Sequence, residues 1–421
     1  MSETNHAIEA VWRIESARLI ATLTRMVGDV GLAEELAQDA LVAALEQWPE
    51  SGVPRNAGAW LTATAKRRAI DTWRRQERLG RKYTELAHGL ETQETSAGDP
   101  QGAAEDPIGD DLLSLVFIAC HPVLPEEGRV ALTLRLVGGL STEEIARAFL
   151  VPVATVAQRI VRAKRTLAEA HVPFEVPQRD EFPERLGSVL EVVYLVFNEG
   201  YSATAGGDWM RPALADEALR LGRILAALVP TEPEVHGLVA LMEIQASRMG
   251  ARTSASGEPV LLLDQDRSHW DRLMITRGLA ALSRAETSGR TLGPYSLQAA
   301  IAACHARAAR AEDTDWERIA ALYDALAQIA PSPVVELNRA VALSMAYGPQ
   351  TGLEIVDALV SEGALASYHL LPSVRADLLV RLGRTAEARE EFERAASLTR
   401  NERERALLLG RAAALGGERI G

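Results

Sequence analysis

The sequence predicts an all-α chain in which two small helical domains precede a longer helical extension. Hydrophobic residues make up 47% of the chain and aromatic residues only 5%, with alanine and leucine prominent. This composition favours packed helices over sheets. A length of 421 residues allows two or three domains with a sizeable core. Turn signals at GG, PTEP, PSP and YGP separate the helical stretches of the second half.

Targeting and cysteine patterns favour a cytoplasmic protein that does not contact a membrane. The start, MSETNHAIEAVWRIE, carries charges throughout and lacks the apolar region of a signal peptide. No apolar run approaches the roughly 18 residues that span a bilayer. Cys120 and Cys304 lie far apart and form no disulfide framework, as expected in a reducing compartment.

Charge divides the chain into four parts. Residues 91–111 hold seven acidic and no basic side chains, together with glycine, proline and serine, which is typical of a linker. The expected parts are a helical domain at 1–85, an acidic flexible linker at 86–111, a second helical domain at 112–172, and a helical extension at 180–421. The formal net charge of −13 disfavours non-specific nucleic-acid binding by the whole chain but allows a local basic surface.

The first domain contains a basic helix. Eight basic and two acidic residues lie between 66 and 82. One third of the helix circumference then carries a stripe suited to phosphates, formed by Lys66, Arg67, Arg74, Arg78 and Arg81. Trp60 and Trp73 are candidates for stacking on exposed bases; the alternative places both in the core.

The second domain contains two short helices separated by a tight turn, in LSTEEIARAFLVPVATVAQRIVRAKRTL at 140–167. Thr142 is expected to begin the first helix, and Pro152 fits the first turn of the second. Helical spacing puts four residues on the packing face: Val156, Ile160, Ala163 and Leu167. The opposite side carries Thr155, Gln158, Arg162 and Arg165, with Arg159 at its edge. The alternative is a helical hairpin whose basic face is only solvated.

The segment LPEEGRVALTLRLVGGLSTEEIARAFLVPVATVAQRIVRAKRTL resembles region 4 of the extracytoplasmic-function sigma factors. The resemblance implies a helix-turn-helix that binds the promoter −35 element through Thr155, Gln158, Arg159, Arg162 and Arg165. Leu150 departs from the family pattern, which has glycine in the turn, and Pro152 stands where serine is common.

The first domain resembles sigma region 2, which reads and melts the −10 element, through the pattern WL...A...AID..RR. The resemblance assigns the −10 contacts to Arg55, Asn56, Trp60, Lys66, Arg67, Trp73, Arg74 and Arg78, with Arg55 and Asn56 in the loop that captures a flipped base. Arg67 and Arg68 depart from the asparagine and leucine common in the family. The helix AEELAQDALVAALEQW resembles the one that docks on core RNA polymerase, which makes Glu34, Glu35, Gln38 and Asp39 contact residues; the alternative is a solvated acidic face. The implied partners are promoter DNA and the beta-prime clamp and beta flap of the polymerase.

The extension contains a repeated helix-turn-helix plan. Gly348 and Gly383 are 35 residues apart, close to the tetratricopeptide period. Gly383, Ala388, Phe392 and Ala395 match the glycine-turn and small-large-small packing positions of that repeat. Segments such as VVYLVFNEGYSAT resemble a subgroup of extracytoplasmic-function sigma factors with a tetratricopeptide-like extension. This implies a regulatory or partner-binding domain and allows an intramolecular contact with the sigma modules.

No cofactor, metal site or catalytic site is predicted. The adjacent pairs Cys120-His121 and Cys304-His305 have poor geometry for chelation on a helix, so buried thiols are favoured. Asp264, Asp266 and Arg267 are expected to form an interface salt-bridge network rather than a ligand site. The hypotheses are a transcription initiation factor, a helical-repeat scaffold with a degenerate DNA module, and, least supported, an enzyme with its site near 264–271.

Overall fold

The computed structural model describes residues 3–70, 107–203, 205–206, 208–254 and 258–416, and these are predominantly helical, as the composition predicts. The chain divides into two compact units, residues 1–192 and 193–421. None of the helices in these described ranges is long and apolar enough to cross a bilayer.

The first unit contains both predicted N-terminal domains. Its helices are α1 (Glu3–Val27), α2 (Val30–Ser51), α3 (described over 57–70), α4 (Pro107–Ala119), α5 (Glu126–Leu136), α6 (Thr142–Phe149), α7 (Val153–Glu169) and the first part of α8 (Phe182–Tyr201). The Asp29 side chain accepts a hydrogen bond from the Leu32 amide at 2.7 Å and caps α2. Gly52, with φ +79°, ends that helix.

The helices α1, α2 and α4 share one apolar core. Leu23, Ala37 and Leu115 are among its fully buried residues. α4 begins at Pro107, inside the segment whose composition indicates a linker. The side chain of Asp111 on α4 is buried, and its carboxylate lies 3.4 Å from Arg25 on α1. The last residues of the acidic segment are helical, and Arg25 compensates the charge of the carboxylate that α4 buries.

The first part of α8 packs on the second helical domain. The Ser188 hydroxyl donates to the Cys120 carbonyl at 2.6 Å, and Arg185 donates to the Phe117 carbonyl at 3.0 Å. Arg129 pairs with Glu191 at 2.9 Å. The boundary between the units consequently falls within α8, later than the extension boundary at 180 that the sequence predicts.

Over its described residues, the second unit is a succession of helices with three short 3-10 turns. After the end of α8 come α9 (Pro212–Leu228), α10 (Pro233–Ala246), α11 (Arg272–Thr287), α12 (Pro294–Arg307), α13 (Trp316–Ile329), α14 (Pro333–Tyr347), α15 (Pro349–Ser361), α16 (Leu370–Arg381), α17 (Thr385–Leu398) and α18 (Glu402–Gly416). Strand β1 (Ala205–Gly206) pairs in parallel with strand β2 (Arg400–Asn401). The Asn401 side chain reinforces this pairing by donating to the carbonyls of Ala203 and Asp208 at 3.0 and 2.8 Å.

The repeated helix pairs predicted near the C-terminus are present as α14–α15 and α16–α17. Gly348 and Gly383 stand at the turns within the pairs with φ of +105° and +75°, a conformation that favours glycine. Phe392 is 1% exposed and packs in one apolar cluster with the fully buried Ala395, whereas Ala388 is fully buried in the neighbouring cluster. The four residues that match the repeat therefore lie at turn or buried positions, and their assignment to a tetratricopeptide-like repeat stays a prediction.

Candidate nucleic-acid interface

The helix-turn-helix consists of α6, whose start is capped by a side chain, and α7, which starts without a side-chain cap. Ser141 caps α6: its hydroxyl accepts from the Glu144 amide at 3.1 Å, and the Glu144 carboxylate accepts from the Ser141 amide at 2.8 Å. Thr142 begins α6, as predicted. Pro152 precedes α7 as its N-cap with φ −59°, one position earlier than the sequence indicates, because the helix starts at Val153.

The turn between α6 and α7 depends on Leu150. This residue adopts a left-handed conformation with φ +51° and ψ +42°, and its side chain is 57% exposed. Its amide and that of Val151 return hydrogen bonds to the end of α6. The chain thus forms the tight turn without the glycine that this backbone conformation favours.

The two faces of α7 are separated as predicted. Val156, Ile160, Ala163 and Leu167 are all buried, which confirms the packing stripe. On the other side Gln158, Arg162 and Arg165 are exposed, and Thr155 and Arg159 are partly exposed. Arg165 makes a 3.6 Å ion pair with Glu169, which is itself exposed. The outward face of α7 therefore presents three guanidinium groups and two polar side chains.

The described part of the basic helix in the first domain also has exposed side chains. Lys66 and Arg67 on α3 are exposed, and so are Arg55 and Asn56 in the preceding loop. The Asn56 side-chain oxygen accepts from the Ala59 amide at 3.0 Å and caps α3. The remaining predicted residues of this surface, Trp73, Arg74, Arg78 and Arg81, lie outside the described residues.

Trp60 lies at the edge of this surface. Its ring makes an edge contact with Trp48 at a centroid distance of 5.3 Å, and it is partly exposed, whereas Trp48 is 1% exposed. One tryptophan therefore belongs to the core and supports the other at the surface.

The predicted polymerase-contact residues of α2 lie in different environments. Glu35 is exposed, and the Asp39 carboxylate pairs with Arg68 at 3.3 Å. Glu34 is only 3% exposed. Its carboxylate binds Arg135 of α5 at 2.6 Å, Lys164 of α7, and the Gln38 amide at 2.6 Å. Sequence reasoning did not anticipate this contact, which joins residues more than one hundred positions apart.

The Glu34 carboxylate is stabilised in its charged form. Burial acts to raise its pKa, but Lys164 and Arg135 outweigh burial and lower it. A second contact joins the two domains where Arg13 of α1 donates to Glu144 of α6 at 2.6 Å. The α2 and α7 surfaces thus lie next to each other, and Lys164 is turned toward α2 rather than toward the outward face.

The cysteine-histidine pairs form no metal site within the described ranges, where no group of three potential ligands is close enough to hold an ion. Cys120 is buried, shares a 3.2 Å hydrogen bond with Thr133, and has a pKa that burial raises to about 11. Cys304 is also buried. Among the described residues, Arg267 forms no ion pair with Asp264 or Asp266 and instead donates to the carbonyls of His305 and Ala308. Asp266 accepts from the Ser268 amide and lies 4.0 Å from the His269 imidazole.

Comparison with known protein families gives a match for each of the two helical N-terminal domains. The sigma-70 region 2 family matches residues 13–79, and the sigma-70 region 4 family matches residues 114–167. A family of unknown function, DUF6596, matches residues 185–286. The predicted order of two sigma-type domains followed by a helical extension is thereby confirmed.

Two relatives differ in how much of the chain they match and in their sequence identity. The uncharacterized protein R00370 of Rhizobium meliloti is 46% identical over 390 residues, which cover 92% of this chain and 91% of that protein. The probable ECF RNA polymerase sigma factor SigI of Mycobacterium tuberculosis is 26% identical over 173 residues, 40% of this chain and 57% of SigI. No solved structure matches significantly.

Proposed function

Since the chain belongs to the same family as the uncharacterized protein R00370 and carries sigma-70 region 2 and region 4 domains, we propose that it is an alternative sigma factor. It binds core RNA polymerase, recognises −35 and −10 promoter elements, and opens the −10 region to start transcription. The outward face of α7 carries the proposal, because it combines exposed arginines with side chains able to read base edges.

In this proposal α7 reads the −35 element in the major groove. Its 17 residues span roughly 25 Å at 1.5 Å per residue. Arginine pairs well with guanine and glutamine with adenine, which gives Arg162, Arg165 and Gln158 base-reading or phosphate-binding roles. Thr155 and Arg159 complete the contact at its edge.

Region 2 binds and opens the −10 element. Lys66 and Arg67 neutralise phosphates, and Arg55, Asn56 and Trp60 hold a base that has left the stack. Trp73, Arg74 and Arg78 are assigned to the same surface on the sequence pattern. Melting requires the exchange of base stacking for aromatic contact, and Trp60, supported by Trp48, offers such a partner.

The polymerase contacts are assigned to α2 for the beta-prime clamp and to region 4 for the beta flap. Glu34, Glu35, Gln38 and Asp39 form the proposed α2 surface. Because Arg135 and Lys164 hold the Glu34 carboxylate, region 4 must move away before Glu34 contacts the clamp. We therefore propose that the arrangement of the first unit is a closed form that opens on polymerase binding.

The helical extension acts as a regulatory or partner-binding domain, with tetratricopeptide-like repeats at α14–α17 and an intramolecular contact with the sigma modules. No catalytic step is assigned to it. The competing proposal is a helical-repeat scaffold whose DNA module is degenerate. A scaffold would bind its partner without directing polymerase to promoters.

Reconstituted transcription separates these proposals. The full chain, purified core polymerase, and promoters mapped from transcript 5′ ends after overexpression form the assay. The double substitution Arg162→Glu and Arg165→Glu should abolish promoter-specific transcripts, whereas Arg179→Glu, which changes an exposed arginine outside α7, should leave them intact. Unchanged start sites and yields in the double variant would overturn the assignment of α7.

The regulatory role is tested with a chain that ends at Val192. This end keeps the α8 contacts of Ser188 and Glu191 with the second domain. Equal polymerase binding and initiation by the shortened and full chains under all conditions would exclude a role for the extension in either process.

A further inference from the structure

The second unit contains a cavity that the proposed function does not use. It has a volume of about 240 Å³ and lies between the end of α8, α10, α12 and α13. An apolar cavity of about 150 Å³ accommodates benzene, so this one fits a molecule of about ten non-hydrogen atoms. Ligand sites are typically concave and combine apolar walls with a few polar groups.

Among the described residues, the cavity lining is cationic and contains no aspartate or glutamate. Arg248 provides the positive charge and donates to the Tyr201 hydroxyl and the Gln245 side-chain oxygen, both neutral acceptors. Two more arginines lie behind it: the guanidinium carbon of Arg252 is 3.7 Å from the centre of the Tyr201 ring, and that of Arg267 is 5.1 Å from the centre of the Trp270 ring.

None of these three arginines forms an ion pair with a carboxylate in the part of the chain that the structure describes. Arg252 donates to the Tyr201 carbonyl, and Arg267 donates to backbone carbonyls. Burial and the neighbouring Arg248 lower the pKa of Arg252, against an opposing effect of Tyr201. Arg252 and Arg267 are buried and Arg248 is partly exposed, and Glu312 and Asp313 act on Arg267 through the electrostatic field without a direct ion pair. The cluster therefore holds three guanidinium groups that lack a direct carboxylate partner among the described residues, and an anion bound beside them would be stabilised.

Two buried nitrogen atoms of residues that line the cavity have no hydrogen-bond partner among the described residues. They are Nε of Arg248 and Nδ1 of His305. Burial, together with Arg248 and Arg267, lowers the pKa of His305 to about 4, so the imidazole is neutral at pH 7. A neutral imidazole donates one hydrogen bond and does not add to the positive charge. A carboxylate has two oxygens, each able to accept a hydrogen bond from these groups.

The rest of the cavity suits an apolar body. Tyr194, Phe197 and Tyr323 contribute aromatic surface, and Ile301 and Ala302 contribute aliphatic surface. The Tyr194 hydroxyl donates to the Gln298 side-chain oxygen at 3.0 Å, which fixes the orientation of both side chains at the wall.

We propose that this cavity binds a small monocarboxylate with an aromatic or branched aliphatic body, whose carboxylate is held by Arg248 and His305. The inference goes beyond the proposed function, because it gives the extension a small-molecule ligand. It does not depend on the sigma activity, since binding is measured without polymerase or DNA.

Isothermal titration of the full chain tests the proposal with five probes: phenylacetate, 3-methylbutanoate, acetate, phenylacetamide and inorganic phosphate. We expect phenylacetate or 3-methylbutanoate to bind at one saturable site at least about tenfold more tightly than acetate, phenylacetamide or phosphate. Comparison with phenylacetamide measures the contribution of the negative charge, and comparison with acetate measures the contribution of the apolar body. Phosphate tests for general anion binding.

Substitutions then locate the site. Arg248→Gln should weaken binding by at least about tenfold. Arg272→Gln, which removes the same charge from an exposed position on α11, should change it less than about twofold. If Arg248→Gln lowers the melting temperature substantially, Ala302→Leu, which fills the cavity from α12, replaces it and should also abolish binding.

Three results would each overturn the inference. The first is the absence of saturation by either acid up to roughly 10 mM, well above a millimolar dissociation constant. The second is phosphate or phenylacetamide binding as tightly as phenylacetate. The third is undiminished binding of the acid by the folded Arg248→Gln and Ala302→Leu variants.

Discussion

Glu34 provides the most direct test of the contact between the two sigma-type domains. The substitution Glu34→Gln keeps the shape and one acceptor oxygen of the side chain but removes the charge that faces Arg135 and Lys164. Removing one partner of a fully buried ion pair costs about 3–5 kcal/mol. Here the side chains of the two cations are 20% and 22% exposed, so water offsets part of this loss. A hydrogen bond to a charged group contributes about 1.5–3 kcal/mol, and we expect a destabilisation of about 2 kcal/mol.

Native-state hydrogen exchange measures this effect locally. A loss of about 2 kcal/mol corresponds to an approximately 30-fold increase in the exchange rate of the most protected amides of α2 and α5. Glu35→Gln is the matched control, because it removes the same charge from the exposed neighbouring position. In Glu35→Gln, the free energy of opening derived from hydrogen exchange should stay within about 0.5 kcal/mol of the value for the unsubstituted chain. Equal protection in the two variants would refute the role of the buried carboxylate.

The pH dependence of the same pair has a defined sign. Because the pKa of Glu34 is lowered in the folded chain, the charge stabilises the fold fully above the unfolded glutamate pKa of about 4.3. The contribution decreases as pH falls through the lower folded pKa. The difference between the unsubstituted chain and Glu34→Gln should therefore be constant near neutrality and diminish in acid. A difference that grows as pH falls would contradict this assignment.

Three further predictions concern the turn, the repeat and the thiol. Leu150→Gly should raise the free energy of unfolding by about 0.5 kcal/mol, because relief of a left-handed leucine outweighs the added freedom of glycine in the unfolded chain. The urea midpoint should rise accordingly, and a lower midpoint would contradict this. Phe392→Ala should destabilise the second unit by about 3–5 kcal/mol in calorimetry, and Tyr347→Ala, at a 59% exposed position, by much less; comparable losses would argue against the packing described. Cys120 should resist iodoacetamide at pH 8 until denaturant is added, because its thiol is buried and its pKa is about 11; labelling of the native chain would disprove that protection.

Local patterns predicted the elements that depend on local periodicity. The spacing of Val156, Ile160, Ala163 and Leu167 is sufficient to orient α7, because a helix repeats every 3.6 residues and one apolar stripe must be buried. The glycines at 348 and 383 were equally informative, since their positive φ values are a local requirement of the turns. Leu150 departs from the glycine of the family pattern and still adopts the left-handed conformation of the turn.

Long-range partners could not be predicted from the same patterns. Glu34 belongs to an acidic helix face, and nothing in its neighbourhood distinguishes it from the exposed Glu35. Its burial depends on Arg135 and Lys164, which only the tertiary structure brings near. The concentration of Arg248, Arg252 and Arg267 around two aromatic rings likewise joins segments whose sequences carry no binding motif.

The short pairing of β1 with β2 has a consequence for how the protein is made. Ala205 meets Arg400, so almost two hundred residues separate the partners, although each strand has only two residues. The closure entropy of such a loop grows only logarithmically with its length, but the partner strand must exist first. At about 5–20 residues per second, a ribosome needs on the order of 10–40 seconds between these strands. During that interval the nascent extension has β1 and the carbonyls of Ala203 and Asp208 without the partner that Asn401 later supplies.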